Sequence, residues 1–380
     1  MKITDVEVLI LEAPGDYAAP VGAEEAYGFK HLALLRVHTD EGITGIADVE
    51  SQPHVIKAIV EAPRHGGDLF SGLKHLVIGE DPFEVERLWQ RMFERTYYYG
   101  RRGAVLQAIS GIDIACWDIM GKATGRPIYK LLGAGYRDRV RAYASTLFRP
   151  TPAAMAAACQ KYLAQGFTAL KFGWGVFGQD PALDVHLVEA ARRTVGDDVA
   201  LLVDAGWFVH RTPKESIAMI ERIAPYNPFW VEEPCHPEDY RGYAMVAGAV
   251  RTRIAAGEQE ATAWGFRALI DEGKVDVVQP DLSRCGGFTI ARQVAHMAAE
   301  RNVAVCPHAW LSPILLAASL HYNAFLPDAL FVEYSTAAGP LSRALCRNPP
   351  ELEDGYVRVP QGPGLGVELD EEVVERYRVS

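Results

Sequence analysis

From about residue 140 the chain repeats one unit: a short apolar run, a charged or polar residue at its end, then a helix-like stretch. Candidate strands occupy 140–146, 169–172, 200–204, 229–233, 253–258, 275–281, 303–307 and 330–333. The intervening helices carry their own start signals. Thr151 can accept from the first free backbone N–H groups and Pro152 suits the first helical position. Met155, Cys159, Tyr162 and Leu163 make an apolar stripe, and Gly166 can end the helix. Thr212-Pro213 repeats that start before Ile217, Ile220 and Ile223. Eight strands separated by helices favour a closed parallel α/β barrel. A doubly wound sheet is the rival, but no Gly-x-Gly-x-x-Gly turn supports it.

Residues 1–135 read differently: two strand-like runs, 2–11 and 32–37, then a strongly helical stretch, 84–122. They form an α+β region that cannot belong to an eight-stranded barrel at 136–338. The remainder, 339–380, carries Pro349, Pro350, Pro360 and Pro363 and is expected to pack outside the barrel or return to the first region. The net charge of −11 argues against nucleic acid as a partner, since phosphate backbones call for clustered Lys and Arg. Met1 to Glu12 lacks the features of a signal peptide, and no stretch approaches the roughly 18 uninterrupted apolar residues of a membrane span. Six cysteines without a Cys-x-x-Cys pair read as reduced core residues of a cytoplasmic protein.

The strand ends carry the chemistry. Asp204, Glu232 and Glu258 end three successive strands, at intervals of 28 (232 − 204) and 26 (258 − 232) residues. One βα unit of a barrel takes roughly 30 residues, so these carboxylates face one another across the mouth. Three such groups repel unless a cation sits among them, and all-oxygen ligation suits Mg²⁺ better than zinc. Asp281 and His308 end the next two strands. A carboxylate bonded to one ring nitrogen fixes the tautomer and raises the basicity of the other, which makes the pair a candidate general base. Glu333 ends the last strand, either as a donor to a developing oxyanion or as a structural carboxylate. Lys171 points at the same mouth, either to neutralise a substrate carboxylate or to pair with a metal-binding one.

These residues resemble the strand-end motifs of the mandelate racemase and muconate-lactonizing branch of the enolase superfamily. The matching segments are Val203-Asp204, Trp230-Val231-Glu232-Glu233-Pro234, Gly257-Glu258, Pro280-Asp281 and Pro307-His308. The run Ala115 to Lys122 is similar to that family's capping-domain helix, and Gly362 to Gly366 to its closing segment. The resemblance implies a modified (β/α)7β barrel under a capping domain built from the N-terminal region and the tail. It also implies Asp204, Glu232 and Glu258 as Mg²⁺ ligands, His308 with Asp281 as base, and a homo-oligomer. Two departures matter. Where the family often has Lys-x-Lys on the second strand, this chain has Lys171-Phe172-Gly173, and Gly206 stands where relatives often carry Asn or His.

With one base on one face, racemisation is disfavoured and elimination is not. The expected reaction is dehydration of a sugar acid to a 2-keto-3-deoxy acid. Cycloisomerisation or epimerisation through the same enolate is the alternative, and an acid-binding or assembly barrel without turnover is the non-enzymatic one. Substrate contacts are expected from Tyr17, Tyr27 and Tyr99 in the first region, and from Trp174 and His210 in loops past strand ends.

Overall fold

The computed structural model describes residues 1–13, 31–206, 211–310, 312–337 and 339–379. Its first part is an antiparallel sheet of β1 (Ile3–Glu12), β2 (His31–Thr39) and β3 (Thr44–Val49). The helix Ala104–Thr124 lies against this sheet. It is long and apolar enough to cross a membrane, but 83% of its apolar window is buried inside the molecule, as in a core helix.

The second part is a ring of parallel strands: β4 (Arg139–Leu147), β5 (Ala169–Gly173), β6 (Ala200–Asp204), β7 (Trp230–Glu232), β8 (Arg253–Ala256), β9 (Val277–Val278), β10 (Ala304–Val305) and β11 (Val332–Ser335). Each pairs in parallel with the next from β4 to β10, and β11 pairs with β4. Between β10 and β11 the Cys306 thiol reaches the Phe331 carbonyl at 3.4 Å. Seven helices alternate with the strands: Pro152–Ala164, Pro181–Val195, Pro213–Ile223, Tyr240–Ala249, Thr262–Asp271, Gly287–Glu300 and Pro313–Phe325. Their starts follow local chemistry. Thr151 accepts from Ala154 N at 3.2 Å, and Thr212 and Glu215 form a reciprocal capping box.

Strands β9 and β10 are shorter than the sequence suggests, two residues each, so Asp281 and His308 sit three residues past them. Glu333 also differs from expectation. It lies inside β11, which runs on to Ser335. All six cysteines are free and buried.

The barrel interior is layered. Tyr143, Ala169, Leu202, Trp230, Ala255, Val277, Cys306 and Phe331, one from each strand or its flank, form a buried cluster. Tyr143 and Phe331 both meet Trp230 edge-on, at 5.9 and 6.0 Å between ring centres. Side chains alternate along a strand, so the residues two positions on point inward again. They are Ser145, Lys171, Asp204, Glu232, Gly257, Gln279, His308 and Glu333. An apolar plug therefore carries a polar layer.

After β11 the chain adds β12 (Leu352–Glu353) and β13 (Tyr356–Arg358), and β13 pairs antiparallel with β4. It then reaches the first part, where Val379 N donates to the Ile10 carbonyl at 2.9 Å. Asp118 ties the tail to the first part: it accepts from Ile46 N at 3.0 Å, from Leu365 N at 2.8 Å and from Lys122 Nζ at 2.6 Å.

Candidate active site

A cavity of about 290 Å³ opens above the polar layer, lined by Glu50, Ser145, Thr146, Lys171, Trp174, Asp204, Glu258, Arg284, His308 and Glu333 among others. Register explains the carboxylates: Gly173 pairs with Asp204, and Asp204 with Glu232, on adjoining strands. Glu232 then lies beside Ala255, and Glu258 follows three residues further along.

His308 and Asp281 form the expected dyad, with Nδ1 2.6 Å from Oδ2. The other oxygen of Asp281 accepts from both Ser283 N and Ser283 Oγ at 2.7 Å. His308 Nε2 faces Glu258 Oε2 at 3.4 Å and Glu333 Oε2 at 3.8 Å. Burial alone would favour neutral imidazole, but Glu258, Glu333 and the bond to Asp281 outweigh it and raise the His308 pKa to about 10; a dication held by Glu258 would cancel the first of these pulls and favour the neutral ring. Burial would raise the Asp281 pKa, but the bond to His308, the charges of Arg284 and His308 and the Ser283 donor hold it below its usual range.

Lys171 Nζ sits 2.6 Å from Glu232 Oε1 and 2.9 Å from Glu333 Oε1. It thus pairs with one of the candidate metal ligands, Glu232, while still lining the cavity. Burial would lower its pKa, yet Glu232 and Glu333 raise it well above the usual value. Glu333 is anchored by Ser145 Oγ at 2.6 Å and Ala309 N at 2.8 Å. Burial would push its pKa up, but Lys171, His308 and these two donors bring it down to about 2.

The metal-ligand candidates behave oppositely. Burial, then the charge of Glu232, raises the pKa of Asp204 well above normal, and burial also raises that of Glu232. Buried carboxylates made costly by one another are a donor set that a hard dication would relieve, so their chemistry fits Mg²⁺. Glu232 accepts from Lys171 and from Trp230 Nε1 at 3.0 Å, and each carboxylate oxygen retains a further lone pair for a cation. Glu50, Asp281 and His308 also bring ligand atoms within 4.8 Å of one another. That trio fits a cation less well, because His308 Nδ1 is taken by Asp281 and Arg284 already neutralises Glu50 at 2.6 Å.

Not every expected residue joins the site. Tyr17, Tyr27 and His210 lie outside the described residues. Tyr99 donates to the Ser71 carbonyl at 2.9 Å and packs near Phe70, apart from the residues that line the cavity. Trp174 does line it, 41% exposed and at a positive φ of 53°. Glu50, Arg284, Ser145 and Thr146 are lining residues that the strand-end pattern missed. Arg284 stands three positions past Asp281, a spacing that could have marked it, whereas Glu50 follows a strand of the other domain. At Gly173 a Cβ would lie 2.6 Å from Asp204 Oδ2 and 2.7 Å from its Cβ, so this position admits a side chain only if Asp204 moves.

A capped parallel barrel with strand-end carboxylates and a His–Asp dyad defines a recognisable class of protein. Family models match residues 6–133 as the mandelate racemase/muconate lactonizing enzyme N-terminal domain, and 154–373 as an enolase C-terminal domain-like region. The chain belongs to this mandelate racemase/muconate lactonizing branch of the enolase superfamily. It is 32% identical to a D-galactarolactone cycloisomerase of Agrobacterium fabrum, covering 100% of this chain and 99% of that one. It is 35% identical to a D-galactonate dehydratase of Ralstonia pickettii, covering 91% of each. Among solved structures, the 3,6-anhydro-D-galactonate cycloisomerase of Zobellia galactanivorans superposes over 100% of both chains, with a TM-score of 0.87 at 28% identity.

Proposed function

We propose that this chain is a Mg²⁺-dependent lyase that removes the α-proton of a sugar acid and expels a β-hydroxyl as water, leaving a 2-keto-3-deoxy acid. The observation that carries this reading is the one-sided supply of proton carriers. His308 presents Nε2 to the cavity with Nδ1 held by Asp281, while Gly173 offers none and Lys171 is pinned as a cation. Imidazole that has taken the α-proton can return it to a hydroxyl leaving on the same face. Lys171 balances carboxylate charge. Glu333, kept ionised by its donors, orients the dyad's ring rather than donating to an oxyanion. Bound Mg²⁺, held by Asp204, Glu232 and Glu258, would supply electrostatic stabilisation of the carboxylate charge that grows as the α-proton leaves.

A second reading has its own support. An enolate can expel a ring oxygen as readily as a hydroxyl, and a relative spanning the whole chain is named a cycloisomerase. The two are separated by incubating aldonic acids, aldaric acids and lactone or anhydro acids with enzyme and Mg²⁺ in D₂O, reading products by NMR. Dehydration of an open-chain acid, lost on chelation, supports the first reading. Ring opening alone supports the second, and the absence of Mg²⁺-dependent α-proton exchange across the whole panel would sink both.

A further inference from the structure

The segment carrying Asp281 is gripped by the capping domain. Trp89 Nε1 donates to the Gly286 carbonyl at 3.0 Å, Ser110 Oγ accepts from Gly286 N at 2.9 Å, and Asp113 Oδ1 accepts from Thr289 N at 3.2 Å. The contact is close: a Cβ on Gly287, at φ 73°, would lie 2.1 Å from Asp113 Oδ1. The grip nearest the dyad is Glu50, the residue after β3. Its backbone N–H donates to Ser283 Oγ at 3.3 Å, and Ser283 in turn donates to Asp281 Oδ1. Its Oε1 holds Arg284 Nη2 at 2.6 Å.

Arg284 is the hazard in this arrangement. Its Nη1 donates to the Glu258 carbonyl at 3.2 Å, and its Nε lies 3.9 Å from Asp281 Oδ2, the oxygen that His308 uses. A guanidinium pairs with carboxylates through parallel N–H donors, so Arg284 can compete with the imidazole for that oxygen. We propose that Glu50 is a positioning residue that holds the Arg284 guanidinium off Asp281, so that the capping domain keeps Asp281 available to His308. This rests on the reading of His308 as the base. A tie that served only to join two domains would satisfy both carboxylate oxygens. Instead Glu50 Oε2 is buried without a hydrogen-bond partner among the described residues, 3.9 Å from His308 Nδ1. The side chains of Glu50 and Arg284 are 16% and 12% exposed, so neither is a solvated surface group free to re-pair with water.

The test uses the full chain with ¹⁵N-labelled histidine, with and without Mg²⁺. The far-downfield proton of His308 Nδ1–H, identified by its loss in His308→Asn, reports the bond to Asp281 without any substrate. Glu50→Ala and Glu50→Gln are expected to move that resonance upfield. For any acid that the turnover panel reveals, kcat should fall about 10–100-fold with KM within about twofold, the cost typical of losing a supporting partner. Glu50→Ala/Arg284→Met, which removes the competitor too, should restore the resonance. A resonance unchanged in both single variants overturns the proposal, as does a rise in KM alone, which would make Glu50 a substrate contact. If Ala at 50 unfolds the protein, the isosteric Gln variant decides. Should no acid exchange its α-proton, the lyase reading falls while the resonance still judges the clamp.

Discussion

Two levels of the barrel interior, separated by a single pleat, obey opposite rules. The lower holds Tyr143, Trp230 and Phe331 edge to face, and its affinity is for itself. The upper holds Lys171, Asp204, Glu232, His308 and Glu333, whose charges are tolerable only in particular partnerships. The strands are the same, so the backbone does not decide the difference. It lies in which residue type falls at alternate positions, and it separates an apolar plug from the charged layer proposed to act on a ligand.

The largest effect expected from breaking that division is at His308. His308→Asn keeps a donor near Asp281 but no base, so turnover should fall about 10³–10⁴-fold while the thermal midpoint moves by only a few degrees. A midpoint collapse with little loss of turnover would show that the upper level is structural. Trp230→Ala probes the converse. Removing a fully buried indole should cost about 3–5 kcal/mol of stability, measured by denaturant unfolding, and a variant as stable as the parent would contradict the plug.

A smaller effect sharpens the comparison through a second buried histidine outside the polar layer. His321 Nε2 bonds the Leu365 carbonyl at 3.0 Å, Nδ1 has no partner among the described residues, and burial lowers its pKa to about 4. Its folded pKa lies below the unfolded value of 6.5, so its neutral form adds no penalty above pH 6.5. As pH falls from 6.5 towards 4 the unfolded chain gains a proton that the folded one refuses, and stability drops by about 3 kcal/mol. His321→Gln should flatten that part of the stability–pH curve. His308 has the opposite sign: its contribution is complete below pH 6.5 and is lost as pH rises through about 10.

Much of this architecture is legible in the sequence. The spacing from Asp204 to Glu258 announces consecutive βα units, and the register of Asp204 beside Glu232 bears that out. The dyad was legible for the same reason. Strand length was not: β9 and β10 hold two residues each, because Pro280 and Pro307 withhold the N–H that a longer ladder needs. Glu50 was illegible because nothing local distinguishes it. It matters only through Ser283 and Arg284, more than two hundred positions away, and sequence periodicity carries no information about docking between domains.

The bare Cα at position 173 has a bearing on how this lineage can change. Any mutation there that introduces a side chain crowds Asp204, one of the proposed cation ligands, so a second proton carrier at this place would first have to displace that carboxylate. Relatives that carry lysine at this place must therefore seat the neighbouring aspartate differently, and a side chain could enter here only together with a shift of Asp204.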